Sequence, residues 1–350
     1  MYKKEYIEYY GFLGIGQCGG NITKKFEEAG YPCVIANSSL EDLSTRNAKN
    51  KLHFKNGQGC HKNRKKAKVL LKENLEILID EVRSKMPTIK TLFICASSSG
   101  GTGSGMLAAV TKILSKQLEI TICIVTVLPD KSENFQSFAN TVELFQELEK
   151  LDCIGATFIL DNSKNRDKMK INEIFFTHLD ALLANENGGD YGCLDRSEID
   201  NLLGTPGMAI LSKLGKDNSD KLLASLVNNN IYSPIESNKV VRYMGIMSCS
   251  SHVELGEIYS QVGNPIDTYV GTNSPSNVCM LAGLTYPKTR LNEIKAMAQT
   301  NAEIIKKGMD AANDSLFDDG DMNFLGTFDM DITPKKEEKE SSLDILNEFL

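Results

Sequence analysis

The stretch Ser97-Ser98-Ser99-Gly100-Gly101-Thr102-Gly103-Ser104-Gly105 decides the fold class of this chain. Its four glycines and five hydroxyl residues follow an apolar run at residues 91–96, which predicts a strand, and precede residues 105–117, whose spacing predicts a helix. Glycines at such a turn let backbone N–H groups approach an anion, and the helix dipole favours negative charge there. No Gly-Lys-Ser or Gly-Lys-Thr follows, so this is not a Walker A loop. The stretch predicts a phosphate-binding loop of another kind.

The glycine loop that comes first along the chain, GIGQCGGN at residues 14–21, lies between a strand predicted at residues 10–15 and a helix predicted at residues 21–29, and residues 97–105 form the second glycine loop. It satisfies G-x-G-x-x-G, which leaves an NAD-dependent oxidoreductase as an alternative. That alternative requires an acidic residue at the end of the next strand, whereas the strand at residues 33–37 ends in Asn37-Ser38-Ser39. Two glycine loops in one sheet instead favour a nucleotide polyphosphate held from both sides.

Alternating strand and helix patterns predict an α/β protein with a parallel sheet covered on both faces. Further strands are expected at residues 120–128 and 156–160, and helices up to residue 83, at 135–150 and at 171–187. A smaller unit follows, with strands expected near 208–214, 240–249 and 276–285, helices at 219–229 and 252–262, and a long helix at 290–312.

The motifs GQCGGN at residues 16–21 and SGGTGSG at residues 99–105 resemble the tubulin/FtsZ superfamily of GTP-dependent filament proteins. The second motif is close to the family signature GGGTGSG, with Ser99 in place of its first glycine. The resemblance extends in order along about 300 residues. It implies the tubulin/FtsZ fold, with a Rossmann-like GTP-binding domain at residues 1–170 and a central long helix at 171–189. After the central helix the resemblance implies a smaller α+β C-terminal domain at 190–289, a long C-terminal helix at 290–312 and an acidic tail at 313–350.

The resemblance also implies which residues bind GTP or GDP. The phosphates are expected to contact the two glycine loops, Asn37 in the loop after the second strand, and a further loop at residues 57–60, called the third loop. A loose match at residues 129–133 makes Glu133 the ribose contact. The phosphate residues are Gly16, Gln17, Cys18, Asn21, Asn37, Gly57, Gly59, Cys60, Ser98, Ser99, Gly100, Gly101, Thr102, Gly103 and Ser104.

Base recognition is implied at Asn162, which ends a strand, and on the central helix. Asn172, Phe176 and Asp180 are four residues apart there and share one face. Phe176 is expected to stack on the base. Asp180 is expected to accept hydrogen bonds from guanine N1–H and N2–H₂, a pair of donors that adenine lacks. Ordinary core packing of Phe176, beside Phe175, is the alternative.

The stretch Asp195-Arg196-Ser197-Glu198 supplies the implied catalytic carboxylates. In this family the corresponding loop of one subunit reaches the γ-phosphate of the next, where acidic groups orient the attacking water. Glu198 is expected to be the main carboxylate, with Asp195 assisting. The same D-x-x-E spacing is a capping box, and the two roles are compatible. Hydrolysis is then expected to require polymerisation.

Composition sets the limits on partners and location. The formal net charge is −7, but residues 314–350 alone carry −8, so the body supports no nucleic-acid-binding surface. No run of 18 apolar residues and no secretory signal is visible, and nine scattered cysteines indicate reduced thiols. A cytoplasmic protein without membrane contact is expected. Mg²⁺ is expected with the nucleotide, without confident direct protein ligands, and the four scattered histidines predict no metal site.

The ends of the chain indicate a branch of the superfamily. The last residues lack the proline-containing peptide of cell-division members, and a leading helix, a long helix at 290–312 and an acidic tail resemble the plasmid- or phage-encoded branch that moves DNA during partition. That resemblance implies a DNA-binding adaptor on a centromere-like DNA, contacted through the tail, in addition to self-association into filaments. A division or phage-centring filament is the alternative. The basic residues between Lys62 and Lys68 are interpreted as a solvated helix face, with contact to an acidic neighbour or to the nucleotide as alternatives.

Overall fold

The computed structural model describes residues 6–184, 194–216, 222–227, 230–237, 240–253 and 255–313. Four expectations fall wholly or partly outside these ranges: the leading helix before residue 6, the end of the central helix at Gly188 and Gly189, the ends of the helix at 219–229, and the acidic tail from residue 314.

Ten strands form one sheet in the described part of the chain. They are β1 (Tyr10–Ile15), β2 (Cys33–Asn37), β3 (Lys51–His53), β4 (Thr91–Ser97), β5 (Thr121–Leu128), β6 (Ile154–Asp161), β7 (Gly207–Leu214), β8 (Tyr243–Met247), β9 (Asp267–Gly271) and β10 (Asn277–Leu284). Their order is β3-β2-β1-β4-β5-β6-β7-β10-β8-β9, and β10 alone runs antiparallel to its neighbours β7 and β8. The expected α/β class with a mainly parallel sheet is confirmed.

Helices cover both faces of this sheet. They are α1 (Gly16–Ala29), α2 (Leu40–Ser44), α3 (Arg64–Lys85), α4 (Thr102–Leu118), α5 (Phe135–Leu148), α6 (Lys168–Leu183), α7 (Arg196–Gly204), α8 (Leu222–Val227), α9 (Leu255–Val262) and α10 (Lys288–Asn313). A 3₁₀ turn, Asn162–Lys164, follows β6. α6 is the expected central helix and α10 the expected long C-terminal helix.

Successive side chains of the buried central strands point to opposite faces of the sheet, so the core forms one cluster on each face. Phe12 of β1 stacks on Phe26 of α1, with ring centroids 3.8 Å apart, and on Phe93 of β4 at 4.8 Å. The next residue, Leu13, belongs to the opposite cluster, which holds the apolar side chains of α3 and α4. Burial on both faces explains why these strands read as continuous apolar runs.

Three short elements were missed by the sequence patterns: β3, β9 and α2. β3 and β9 are the two edge strands of the sheet, and each has a single buried residue, Leu52 and Gly271. Backbone pairing with β2 and β8 forms them rather than apolar burial, so they leave little periodic signal.

The sheet is continuous where the sequence predicts a change of domain. β6 pairs with β7 from Ala156 opposite Gly207 to Phe158 opposite Ala209. The expected boundaries at residues 170 and 190 stay predictions. None of the helices within the described ranges has the length and apolar character needed to cross a membrane.

Candidate nucleotide-binding site

The carboxyl ends of five neighbouring strands form the candidate site. β1 and β4 pair in parallel with Ile15 opposite Ala96, so the two glycine loops leave the sheet side by side. Asn37 ends β2 on one side, and Leu128 of β5 lies opposite Asp161 of β6 on the other. The chain order reverses between β1 and β4, and ligands of open α/β sheets bind at such a switch point.

Two helices point uncapped N-termini at this edge. α1 and α4 begin at Gly16 and Thr102, earlier than expected, because the glycine turns themselves form the first helical turn. Neither helix has a side-chain cap at its N-terminus, whereas α2, α3, α5, α6 and α7 each have one. The first N–H groups of a helix have no intrahelical acceptor, so these two helices present donors to an anion.

Close backbone packing explains two of the glycines. Gly16 has φ +73°, a conformation that side chains disfavour, and a Cβ placed on it would lie 3.4 Å from the Gly103 nitrogen in the other glycine loop. A Cβ at Gly101 would lie 2.9 Å from the Asn63 nitrogen and from Cys60 Cβ. Both residues therefore allow adjacent loops to meet at the site.

The third loop docks onto the second glycine loop through Ser38. The Gly59 N–H donates to the Ser38 carbonyl at 2.9 Å, and Cys60 Sγ lies 3.4 Å from Ser38 Oγ. Ser38 Oγ in turn lies 2.7 Å from Thr102 Oγ1. The Gly57 N–H donates to the Phe54 carbonyl at 3.0 Å. The N–H groups of Gly57 and Gly59 are thus used inside the protein, and the expected contact of this loop with the γ-phosphate stays a prediction.

Asn140 of α5 holds the second glycine loop and the segment after the third loop together through hydrogen bonds to their backbone carbonyls. It is 1% exposed, and its Nδ2 donates to the carbonyls of Lys62 at 2.9 Å, Ser99 at 3.1 Å and Gly100 at 3.3 Å. The sequence patterns gave no sign of this role, since an amide on an amphipathic helix has no motif of its own.

Several predicted phosphate contacts face the protein instead. Ser98 is fully buried, and both its N–H and its hydroxyl lie within hydrogen-bond distance of the Val127 carbonyl, at 3.1 and 2.9 Å. Ser99 Oγ pairs with Ser97 Oγ at 3.0 Å, and the Ser104 hydroxyl donates to the Gly100 carbonyl. Ser98 and Ser104 therefore hold the loop through their side chains, and their expected contacts with the nucleotide stay predictions. By contrast, a Cβ at Gly100 would meet nothing nearer than Ser97 Cβ at 4.0 Å, so its position is open.

Asn37 also has a structural role. It is 3% exposed, its Nδ2 donates to Asp42 Oδ2 at 3.2 Å, and its Oδ1 accepts from the Ser39 N–H at 3.2 Å. The side chain therefore shapes the turn into α2, and its expected contact with the nucleotide stays a prediction.

A group of charged residues surrounds the first glycine loop, and two of its cations were missed. Arg46 donates to the Gln17 carbonyl at 2.9 Å, and its Nη1 is buried with no hydrogen-bond partner in the described part of the chain. Lys168, at the start of α6, lies 3.4 Å from Glu133. Burial raises the pKa of the Cys18 thiol to about 12, opposed by Arg46, so this side chain stays neutral. The Arg46 guanidinium thus adds positive charge beside the first glycine loop.

Three basic residues after the third loop form ion pairs and hydrogen bonds with other elements of the protein. Arg64 is 5% exposed; its guanidinium reaches Glu143 at 2.8 Å and the Ser104 carbonyl at 3.0 Å. Lys68 pairs with Glu147 at 2.9 Å, and Lys62 Nζ donates to Asn134 at 3.0 Å. The interpretation of a simple solvated face is therefore wrong for these three residues, which connect α3 to α5 and to the start of α4.

The structure does not bring Phe176 and Asp180 to the glycine loops. Phe176 packs edge-on against Phe26 near the end of α1, with centroids 5.1 Å apart, and Asp180 accepts from the Tyr31 hydroxyl at 2.9 Å. Tyr31 follows the C-terminus of α1, about 20 Å from its N-terminal turn at a rise of about 1.5 Å per residue. The expectation that Phe176 stacks on the base and Asp180 accepts from guanine stays a prediction.

Two other residues remain near the expected nucleoside position. Asn162 opens the 3₁₀ turn at the end of β6. Asn172, which is 6% exposed, lies two turns before Asp180 on α6, one turn after Lys168 at the ribose loop. Asn172 lies on the predicted base-facing side of α6, although the resemblance implied the base contacts at Phe176 and Asp180.

The predicted catalytic carboxylates lie at the opposite edge of the sheet. Asp195 and Glu198 form a complete capping box: Asp195 Oδ1 accepts from the Glu198 N–H at 2.9 Å, and Glu198 Oε2 accepts from the Asp195 N–H at 2.8 Å. The backbone N–H of Glu198 and the Ser197 hydroxyl hold the pKa of Asp195 below its usual value. Within one subunit these carboxylates do not meet the glycine loops.

Arg196 shows which edge this is. Its guanidinium carbon lies 3.7 Å from the centroid of the Tyr9 ring, immediately before β1, whereas the glycine loop follows the end of β1. A pocket of about 560 Å³ opens there, lined by Tyr6, Tyr9, Lys90, Arg196 and Asp200. The capped turn and the glycine loops are thus separated by a strand of six residues, about 20 Å.

No group of three or more His, Cys, Asp or Glu side chains that could hold a metal ion occurs among the described residues. Phosphate oxygens and water are the ligands that Mg²⁺ usually keeps beside a nucleotide. The expectation that the ion lacks confident direct protein ligands stays a prediction.

Comparisons with known proteins agree with this geometry. A model of the Tubulin/FtsZ family, GTPase domain, matches residues 11–170. The tubulin-like protein TubZ of Clostridium botulinum C phage is 28% identical over 295 residues, 81% of this chain and 82% of that protein. The structure of tail-truncated C. botulinum phage c-st TubZ has a TM-score of 0.78 at 24% identity, covering 85% of this chain and 99% of that one.

A GTPγS-form protofilament of Bacillus thuringiensis serovar israelensis TubZ gives a TM-score of 0.70 at 16% identity, covering 87% of this chain and 93% of that one. The family match implies GTP and GDP as the nucleotides and argues against the oxidoreductase alternative. Residues 11–170 therefore resemble the GTPase domain of the tubulin/FtsZ family, and the chain has the tubulin/FtsZ fold seen in TubZ.

Proposed function

We propose that this protein polymerises head to tail into filaments and hydrolyses GTP only where two subunits meet. The observation that carries the proposal is the separation of the two halves of the site. The uncapped helices lie at the carboxyl edge of the sheet and the Asp195–Glu198 turn at the amino edge. A single subunit can hold a nucleotide but cannot bring these carboxylates to it.

The chemistry divides between the subunits in the same way. The N-termini of α1 and α4, with Arg46, Lys62 and Lys168 nearby, offset the charge of the phosphates. Glu198 of the adjoining subunit orients the attacking water, and Asp195, which stays ionised, assists it. Mg²⁺, when bound with the nucleotide, supplies further charge neutralisation at the phosphates. The capping box and the catalytic role coexist because each carboxylate has a second oxygen.

Filament formation has support from a relative, since a protofilament structure is known for B. thuringiensis TubZ. We propose in addition that the filament moves plasmid or phage DNA in a bacterial cytoplasm, through a DNA-binding adaptor that contacts the acidic tail. The similarity to the tubulin-like protein TubZ of Clostridium botulinum C phage supports placing the chain with the plasmid- or phage-encoded branch. A division-type or phage-centring filament is the alternative for the cargo. A small helix-turn-helix protein and iterated DNA repeats encoded beside the gene favour partition.

The test is the GTPase rate as a function of protein concentration. With GTP and Mg²⁺ we expect the specific rate to stay near zero up to a critical concentration and then to rise, in parallel with light scattering. Glu198→Ala should retain scattering and lose hydrolysis, by roughly a hundredfold or more if it positions the water. Glu76→Ala, which removes an exposed carboxylate from α3, is the matched control.

A rate that is linear in concentration, from a species that stays monomeric, contradicts the proposal. If assembled Glu198→Ala hydrolyses GTP at the wild-type rate, Glu198 is not the catalytic carboxylate. That outcome would not contradict the proposal that two subunits share the site.

A further inference from the structure

Arg290, in the first turn of α10, is buried at the carboxyl ends of β5 and β6. It is 3% exposed, although it is a charged residue on the long C-terminal helix. Buried arginines are rare unless they are paired, so its contacts indicate why it is there.

The guanidinium joins three segments. Its Nε donates to Asp161 Oδ2 at 2.8 Å and its Nη2 to Asp161 Oδ1 at 3.3 Å, a two-point contact with the end of β6. Nη2 also donates to the Pro129 carbonyl at 3.0 Å, immediately after β5. The third nitrogen, Nη1, lies 3.2 Å from Glu293 on α10 itself.

Asp161 connects Arg290 to the part of the proposed site where the nucleoside is expected. It is 1% exposed, and its Oδ1 also accepts from the Ser163 N–H at 2.9 Å, which caps the 3₁₀ turn that Asn162 opens. Pro129 begins the loop that carries Glu133. One guanidinium therefore ties together the loop expected at the ribose and the turn expected at the base.

We propose that Arg290 is a positioning residue for the nucleoside half of the GTP site, holding the loop after β5 and the turn after β6 at a set separation and linking both to the start of α10. The inference rests on the proposed GTP site and names a residue of that site that carries no motif. Arg290 touches neither base nor ribose in this assignment; it acts through Asp161 and Pro129.

The chemistry requires arginine. Its planar fork reaches both oxygens of one carboxylate and a carbonyl together, whereas a lysine ammonium is a point charge that keeps one or two of these contacts. The outer ion pairs are different: Glu293 is 47% exposed and lies 3.8 Å from Lys131, an exposed residue, so water screens them.

The experiment compares Arg290→Lys with the matched control Glu293→Gln, using GDP and ADP titrated by calorimetry and GTPase kinetics. We expect Arg290→Lys to weaken GDP by roughly ten- to a hundredfold and to reduce the preference for GDP over ADP. KM for GTP should rise while kcat at saturating GTP stays near the wild-type value, since the catalytic turn is untouched. Glu293→Gln should match the wild type in both assays.

A second variant guards against misfolding. Arg290→Met with Asp161→Asn removes both charges together, so no unpaired charge is buried, and the asparagine retains the cap on the 3₁₀ turn. It should show the same loss of base preference with a cooperative thermal transition.

The outcomes separate the two proposals. If the wild type binds neither GDP nor GTP, the proposed function fails and the role of Arg290 fails with it. If the wild type binds GDP and both Arg290 variants keep wild-type affinity and base preference, including the case where only the melting temperature drops, the positioning role alone is overturned.

Discussion

At the scale of single residues, two adjacent glycines perform different tasks in one loop. Gly101 allows the third loop to approach, because a Cβ there would lie 2.9 Å from Asn63, Cys60 and Lys62 backbone or Cβ atoms. Gly100 has no neighbour nearer than Ser97 Cβ at 4.0 Å and lies open beside the start of α4. The first contributes to the fold and the second is free to admit a phosphate.

This difference predicts opposite results for two alanine variants. Gly101→Ala should lower the free energy of unfolding by about 1–3 kcal/mol, because backbone atoms must move. Gly100→Ala should leave unfolding within about 0.5 kcal/mol of the wild type and weaken GDP binding, since its new methyl group occupies the cradle. Denaturant unfolding and GDP titration measure the two effects.

Equal destabilisation by both substitutions would contradict this division of roles. Gly204→Ala, where a Cβ would meet no atom within 4 Å, is the control for the loss of a glycine alone.

At the scale of elements, α6 is held against the sheet by contacts that differ along its length. Lys168 contacts the ribose loop at its start, Phe175 packs in the core against Phe158 at 5.5 Å, and His178 bonds to the Leu211 carbonyl of β7 at 3.2 Å. The far turns of the helix therefore serve packing, which is why Phe176 and Asp180 contact α1 and Tyr31 rather than the glycine loops.

His178 makes the seating of α6 dependent on pH. Burial lowers the pKa of His178 to about 4, partly offset by its hydrogen bond to Leu211. The unfolded chain binds a proton near pH 6.5 that the folded chain excludes until pH is about 4. The free energy of unfolding should therefore fall as pH drops through this window, by on the order of 2 kcal/mol at pH 5, and should not respond to this group above pH 7.

Chemical denaturation at pH 7 and pH 5 measures the effect, with His178→Asn as the comparison. The asparagine can still donate to the Leu211 carbonyl but has no proton to gain, so its decline over the same interval should be smaller. An identical decline in both proteins would mean that other groups cause it.

At the scale of the whole molecule, the sheet places the two halves of the proposed active site on opposite edges. β1 joins them: Tyr9, under Arg196, precedes this strand, and the first glycine loop follows it. Under the proposed function, one copy supplies the nucleotide-binding edge and the adjoining copy supplies the carboxylate edge of each active site.

Complementation tests this arrangement. Glu198→Ala retains the nucleotide side and lacks the catalytic carboxylate, while Gly100→Ala retains the carboxylate and binds nucleotide poorly. A mixture should hydrolyse GTP faster than the sum of the two proteins alone, because mixed junctions contain one intact half from each. Activity equal to the sum would indicate that each subunit completes its own site.

The sequence by itself was sufficient for the fold class and for the placement of the two glycine loops at one edge of the sheet. Glycine loops between apolar strands and helices are local patterns, and the direction of a parallel sheet brings such loops to one edge whatever the rest of the chain does. The core strands were predicted almost to the residue, as in β1 and β2, for the same reason.

Only the tertiary structure decided which polar groups face a ligand and which face the protein. Ser98 and Asn37 have the chemistry of binding residues, but Val127 and Asp42 use their hydrogen-bonding capacity. The contact between Arg290 and Asp161 spans 129 residues, and the separation of Glu198 from the glycine loops depends on where α7 crosses the sheet. Spacing along the chain determines neighbours within one strand or helix, whereas contacts between distant segments follow from strand order and packing, which no local pattern encodes.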